Sequence, residues 1–334
     1  VNDLKKGSGV FCERNEVKYA WIQKHKDELK VSLACKVLKV VRSSYYAWLK
    51  GDSRRIVRQQ ELDLLISKVK SEYQRSDNTY GSRKISEELV KQEIKASKNK
   101  VAKVMSSQGL KSRTIRKYRV CTTDSNHCLP VYDNKLNRQF IVPYANYAWC
   151  GDITYCATEQ GWLYLATVID LYSNKVIGYA SSDKIDKWLV VKALSNALQS
   201  RNYPKGVIVH TDRGSQYCSH AYRNLIESNQ LVGSMSRKGN CWDNAVAENF
   251  FGIIKREFLN HYRFDTLTSA KLGIFNYIDG WYNPHRSHSK LGYLSPDEFE
   301  EKILSIEITK SSIANHHIRL KPHGKLARLM VAMS

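Results

Sequence analysis

Three acidic residues stand out for the chemistry they could do together: Asp152 in WCGDITYC, Asp212 in VIVHTDRGSQYCS and Glu248 in CWDNAVAENFFGIIKRE. Each stands where an apolar run gives way to polar sequence, and 35 residues separate the last two. Carboxylates gathered from three distant segments can hold a pair of divalent metals, the equipment of phosphodiester chemistry. Taken singly, each acid has a structural explanation. Asp is common at strand ends and turns, Asp212-Arg213-Gly214 reads as a turn, and a helical Glu pairs readily with a neighbouring base. Three together in one order of elements reverse that reading.

Such a site needs elements that bring the acids to one place. From Tyr147 the sequence alternates like strands: YAWCGDITYCAT, WLYLATVIDLYS and KVIGYASS are β-rich runs with short connections, which predicts an antiparallel meander. A helix follows through Leu189, Val190, Ala193, Leu194 and Leu198, then the short buried strand GVIVHTD. A helix from Ala221 to Ser228, a strand LVGSMS and a polar loop RKGNCWDN lead into the helix that bears Glu248. The order β-β-β-α-β-α-β-α is that of a ribonuclease-H-like α/β domain. Asp152 then lies in the first strand, Asp212 at the carboxyl end of the fourth, and Glu248 in the first turns of the last helix.

The amino-terminal part reads as all-α. In LKVSLACKVLKVVRSSYYAWLK, Val31, Ala34, Cys35 and Leu38 recur at helical spacing, and Ser43 or Ser44 is expected to cap a second helix carrying Tyr46, Ala47 and Leu49. This makes a candidate helix-turn-helix. A longer helix is predicted from Val57 to Tyr73 with Leu62, Leu65, Ile66 and Val69 on one face. A stronger helix-turn-helix follows: a helix through Ile85 and Leu89, a turn near Glu93 to Ala96, and a Ser97-capped helix with Val101, Val104 and Met105 that stops at Gly109. Lys98, Lys100 and Lys103 on that helix continue into KSRTIRKYR, giving a positive stripe with Lys111, Arg113, Arg116, Lys117 and Arg119. A solvated helix face is the ordinary explanation of a basic run, but the helix-turn-helix frame favours contact with DNA.

Composition agrees. The chain has 334 residues, 42% hydrophobic and 25% charged, with a net charge of +21, which is ordinary for folded domains apart from the charge. Residues 1–120 carry 29 Lys/Arg against 13 Asp/Glu, and residues 121–334 carry 24 against 19. Electrostatic capture of a phosphate backbone is thus assigned to the first part. The eight cysteines form no CxxC pair and no compact ladder, which suits a reduced cytoplasmic compartment. No apolar run approaches the length of a membrane span. The sequence divides into a helical region at 1–55 with a candidate helix-turn-helix, a helix-turn-helix DNA-binding domain at 56–120, a linker at 121–146, a ribonuclease-H-like core at 147–300 and a tail at 301–334.

GDITYC, GWLYLATVIDLYSNKVIGYA, HTDRGSQYCS, SMSRKGNCWDNAVAENFFGIIKRE and YIDGWYNPHRSHSKLGYLSPDEF together resemble the integrase-type catalytic core of bacterial transposases in the family of insertion sequence three. The likeness runs over about residues 145–300, and YGSRKISEEL…SKNKVAKVMSSQGL resembles the helix-turn-helix that precedes the core. The resemblance implies that Asp152, Asp212 and Glu248 are an acidic triad binding two Mg²⁺ ions, for which Mn²⁺ can substitute. It implies that Lys255, seven residues after Glu248 and on the same helical face, touches a DNA end. Arg237 and Lys238 are expected near DNA as well. His210, Gln216, Ser236, Asn240, Asp243 and Asn244 fit the family's patterns around the site, with Asp243 or Asn244 also readable as a helix cap. Arg286 is expected to hold a phosphate, and His288 to support the site from behind, although a packed helix end explains both equally well. His285 and His288 lack cysteine partners at suitable spacing, so zinc is not expected.

The activity implied is binding of element ends, metal-dependent strand cleavage and transfer by a 3′-hydroxyl. The partners implied are double-stranded DNA (terminal repeats and target), further copies of the chain on that DNA, and an upstream first-frame helix-turn-helix and leucine-zipper domain. No heptad run of that kind occurs in residues 1–60, so the chain reads as a second-frame product. The location implied is the bacterial cytoplasm, with the nucleoid. The alternatives are a non-catalytic regulator of transposition and a nuclease that only hydrolyses.

Overall fold

The computed structural model describes residues 13–113, 129–237 and 241–306. Three short helices, α1 (Asn15–Lys24), α2 (Val31–Val37) and α3 (Arg42–Lys50), close around Tyr19, Ile22, Ala34, Cys35, Leu38 and Tyr45. The inward residue of α3 is Tyr45, with Tyr46 and Ala47 exposed, and no side chain caps the helix, whose N-cap is Val41. The expected phase was one residue off. A nine-residue helix among aromatic residues offers too few turns to fix which of them points inward.

Helix α4 (Asp52–Arg75) leads to a second all-α unit with α5 (Ser82–Lys91) and α6 (Lys98–Ser107). Leu65, Val69, Tyr80, Ile85, Leu89, Ala96, Val101, Val104 and Met105 form its core. Ser97 caps α6 by accepting from the Lys100 N–H, and Gly109 takes a left-handed φ of 67° where the helix stops. The predicted stripe of α4 is shorter than expected: Leu65 and Val69 are buried, but Leu62 is 37% exposed because α4 has already left the unit there.

The next domain is built on a five-stranded sheet in the order β3-β2-β1-β4-β5. Strands β1 (Ala148–Thr158), β2 (Gly161–Asp170) and β3 (Val176–Ser182) form the meander, and β4 (Ile208–Thr211) and β5 (Val232–Met235) add in parallel to β1. Helices α7 (Lys187–Ser200) and α8 (His220–Ser228) share one apolar cluster with the sheet. Helices α9 (Ala245–Ile254) and α10 (Leu267–Tyr277) share another with Leu163, Leu165 and Ile169 of β2. This is the mixed-sheet ribonuclease-H-like architecture that the element order predicts.

The stretch expected to cross between domains is packed where it is described. Leu136 and Val142 are buried, and Tyr132 lies against Gly233 of β5. The first all-α unit stands off, whereas the second docks on the sheet domain. Tyr80 accepts from the Ser287 N–H at 2.8 Å, Lys91 pairs with Glu298 at 2.9 Å, and Trp281 packs against the α4–α6 core.

Gly178 in β3 lets α7 lie close on the sheet, since an added Cβ would meet Ala197 N at 2.4 Å and Ala193 O at 2.5 Å. Gly178→Ala must push α7 off the sheet, and we expect a loss of about 1–3 kcal/mol, the usual cost of overpacking, read as a lower denaturation midpoint.

Candidate active site

Strand register brings the first two acids together. In the parallel pair, Cys150 of β1 lies opposite His210 of β4. Asp152 follows two residues later on the same face of β1, and Asp212 stands just past the end of β4, close enough for its charge to act on Asp152. The third acid is set by how α9 sits over β1. The Cys150 thiol donates to Asn244 Oδ1 at 2.7 Å, which holds the start of α9 over the strand, and Glu248 follows in the first turn.

Each aspartate is fixed locally. The Ile153 N–H donates to Asp152 Oδ1 at 2.8 Å, and the Gly214 N–H donates to Asp212 Oδ1 at 2.9 Å. Asp152 keeps some solvent contact as a residue, yet its carboxyl is enclosed. Burial pushes its pKa well above the usual carboxylate range, the charges of Asp212 and Glu248 push the same way, and the Ile153 N–H and the Lys255 ammonium oppose them. Lys255, which begins a π-helical turn (Lys255–Leu259) continuing α9, also lies 4.3 Å from the Tyr155 ring centroid. It therefore faces β1 beside the acids.

Among the described residues, no three His, Cys, Asp or Glu side chains are grouped closely enough to hold a metal ion. The donor set nevertheless fits a hard divalent cation: all-oxygen, with an enclosed carboxyl whose charged form is opposed by its acidic neighbours.

His210 is buried between Ser234, at 2.9 Å from Nδ1, and Ser236, at 3.2 Å from Nε2. Burial pushes its pKa down to about 4 against the opposing influence of Asp243, so the ring is neutral near pH 7. Gln216 turns its amide towards the Asp212 turn, its Oε1 lying 3.0 Å from where a Cβ on Gly214 would be. Neither Asp243 nor Asn244 caps α9 through its side chain. Asn244 is engaged by Cys150. Asp243 is fully buried and accepts from Arg237 N, Nε and Nη2 at 3.0–3.1 Å, from Arg138 Nε at 2.7 Å and from Asn134 Nδ2 at 3.0 Å. Arg237, expected to touch DNA, is thus tied to this carboxylate with its side chain 49% exposed.

Arg286 and His288 are corrections. Arg286 is buried and forked onto Glu257, Nη2 to Oε1 at 2.6 Å and Nε to Oε2 at 2.8 Å. Burial would make Glu257 hard to ionise, but the Arg286 charge and hydrogen bonds overcome it and hold its pKa below the usual range. A guanidinium so committed does not face a phosphate. His288 packs edge-on against Tyr282 and touches Arg286, in this cluster and not among the three acids. The cluster includes Lys84 of α5, whose pKa burial and the Arg286 charge lower to about 8.

Lys98, Lys100 and Lys103 are exposed along α6, and Lys111 and Arg113 are exposed after it. Arg116, Lys117, Arg119, Lys238 and Asn240 lie outside the described residues. Sequence reasoning missed Glu257 and Lys84, and reduced Asp243 to a cap. An acid five residues before Glu248 and six after Arg237, inside an otherwise basic loop, was the available signal for Asp243. Nothing in the spacing of Glu257 and Arg286, 29 residues apart, announces their pairing.

Comparison with known proteins names the class first. Family models described as "Integrase core domain" match residues 143–241 and 248–304, and one described as "HTH-like domain" matches residues 59–118. The protein is a transposase with an integrase core and an upstream helix-turn-helix. It is 41% identical over 289 residues to the Escherichia coli protein "Transposase InsF for insertion sequence IS3A", covering 86% of this chain and 100% of that one. It is 42% identical over 268 residues to the Shigella sonnei "Insertion element IS600 uncharacterized 31 kDa protein", covering 80% and 97%. The chain belongs to the IS3 family of insertion-sequence transposases. Among solved structures, the HTLV-2 integrase catalytic core domain in complex with magnesium matches at 19% identity with a TM-score of 0.36, covering 46% of this chain and 96% of that one. No described helix is long and apolar enough to cross a membrane.

Two outcomes are expected. Arg286→Ala leaves the Glu257 charge buried without its partner and costs about 3–5 kcal/mol in thermal or urea unfolding, while Glu257→Gln combined with Arg286→Met recovers most of that loss. Arg237, through its side-chain hydrogen bonds, followed by Arg138, holds the Asp243 carboxyl well below the usual range, so its contribution is full above the unfolded value of about 4 and is lost as pH falls towards the folded one. Asp243→Asn therefore lowers stability by about 2 kcal/mol between pH 6 and 8, and the gap to the parent closes below about pH 4 in a melting series.

Proposed function

We propose that the chain cleaves DNA at the ends of its element and joins the freed 3′-hydroxyl to another strand, with Asp152, Asp212 and Glu248 as the ligands of two Mg²⁺ ions that Mn²⁺ can replace. What supports this reading is the parallel pairing of β1 and β4, with Asp152 two residues beyond the paired Cys150, Asp212 just past the end of β4, and Glu248 in the first turn of α9. When bound, the two ions would supply activation of the attacking hydroxyl and stabilisation of the departing oxygen.

The reaction is balanced without any energy source. The 3′-oxygen attacks phosphorus, one P–O bond forms, the P–O bond to the leaving 3′-oxygen breaks, and the proton of the attacking hydroxyl ends on the released one. What remains for the protein is alignment. The backbone donors at Ile153 and Gly214 lock the rotation of two carboxylates. Lys255, beside Asp152, offers a positive charge to a phosphate brought to the acids. Because only three carboxylates are supplied, the other ligand positions fall to water and DNA phosphate oxygens. Lys98, Lys100 and Lys103 on α6 supply affinity for the duplex. Joining two ends requires both to be held at once, so the working form is an assembly of more than one copy on DNA, with any first-frame domain adding to end recognition.

The test is incubation of the chain with Mg²⁺ or Mn²⁺ and labelled DNA carrying both terminal repeats. Nicking at the ends followed by joined product is expected. Asp212→Asn should cut the rate by at least about 10³-fold, equivalent to several kcal/mol of lost charge stabilisation, while gel-shift affinity stays within about twofold. Nicking without joined product would leave a nuclease, and binding without nicking a regulator.

A further inference from the structure

The family models leave the first all-α unit without a role, and its construction is specific. Helix α2, of seven residues, and helix α3, of nine, flank a four-residue turn (Leu38–Val41) that Lys39 makes possible with a φ of 53°. Helix α1 braces the pair from behind: the Tyr45 hydroxyl donates to Gln23 Oε1 at 2.6 Å across the core. A short helix, a tight turn and a second helix on a hydrophobic brace is the frame in which the second helix enters a major groove. The side chains that α3 turns outward suit that use, since Arg42, Ser43, Ser44, Tyr46 and Lys50 are all exposed. Residues 13–55 carry 11 Lys/Arg against 5 Asp/Glu, so the unit is attracted to a polyanion.

How this unit is held is the second observation. Arg55, in the first turn of α4, donates to Trp48 O at 2.8 Å and lies 4.0 Å over the Trp48 ring, which fixes α3 against the start of α4. The other end of α4 is built into the second unit through Leu65 and Val69. Between them Ile56–Leu64 is exposed at every residue, a bare rod. Those nine bare residues set about 14 Å of rigid helix between the two units. Long solvent-bridging helices fix distance, and this one fixes it between two basic helix-turn-helix units.

We propose that α2–α3 is a second DNA-reading site, α3 in a major groove, and that α4 holds it at a fixed distance from α6 so that the two units grip one duplex. The inference rests on the reading of the chain as a DNA-end-binding transposase and adds a bipartite site to it.

The experiment is selection of bound sequences from a pool of duplexes with about 40 randomised base pairs, using the full chain, alongside Arg42→Ala/Ser44→Ala/Tyr46→Ala and Lys98→Ala/Lys100→Ala/Lys103→Ala. All six positions are exposed, and melting curves verify that both variants remain folded. The parent should enrich two blocks of preferred bases at one fixed spacing. The α3 variant should lose one block, keep the other, and bind the parent's selected site at least about tenfold more weakly. The α6 variant should weaken binding with a shallower salt dependence. A single block, unchanged in the α3 variant, would overturn the proposal while leaving the transposase reading intact. No enrichment by any form would remove the DNA-end reading itself, and this proposal with it.

Discussion

The charges of Asp152, Asp212 and Glu248 oppose one another across the edge of the sheet. Asp152 feels this most, enclosed by the fold and pushed further from ionisation by Asp212 and Glu248. Without cations such an arrangement costs stability, so each acid has to be held by something that does not depend on its charge. Backbone N–H groups of Ile153 and Gly214 fix the two aspartates on and just beyond paired strands, and α9 is held by the Cys150 to Asn244 contact and by apolar packing of Phe250, Phe251 and Ile254. The price of the site is met by neutral interactions.

The helix bearing Glu248 is further restrained at both ends by ion clusters that stay out of the site. At its start, Asp243 gathers Arg237, Arg138 and Asn134, which ties the loop after β5 and the segment before β1 to one buried carboxylate. Beyond its end, where the helix loosens into a π-turn, Glu257 is forked by Arg286. Such turns sit at functional sites more often than elsewhere, and here the turn swings Lys255 towards β1 while Glu257 faces the opposite partner. The second cluster also reaches Lys84 of α5, and Tyr80 binds the Ser287 N–H beside it. The helix-turn-helix unit therefore bears on the same rigid block as α9, and its α5 side is used for docking, which leaves the lysines of α6 facing solvent.

The sequence announced these parts unequally, for physical reasons. Strands β1 to β3 are long and alternate, and the caps and stops of α6 are local chemistry, so Ser97 and Gly109 could be recognised without any partner. Asp152, Asp212 and Glu248 draw notice in the sequence because each breaks a pattern. Partners distant in sequence were not legible. Arg286 looks like a phosphate ligand until Glu257 is found 29 residues earlier, and Leu136 and Val142 look like isolated apolar residues of a linker until the sheet domain is there to bury them. Tyr45 and Tyr46 differ by one residue, and only packing against Tyr19 and Trp48 chooses between them.

The uneven charge of the chain then follows from the site itself. On the proposed function, a cleft built around three acids would repel the phosphate backbone it receives, and screening by salt confines any attraction from a distant basic patch to about 8 Å. Affinity has to be generated where the backbone can lie directly on basic side chains, and the duplex must be carried from there to the acids by rigid structure. That is the arrangement found: 29 Lys/Arg in the first 120 residues, and a helix-turn-helix unit clamped to the sheet domain through Tyr80, Lys91 and Trp281. If that clamp were a flexible tether, the binding energy gained on α6 would hold DNA near the protein without orienting it. Clamped, the same energy can be spent on alignment at phosphorus, the component of rate that a metal pair alone does not supply.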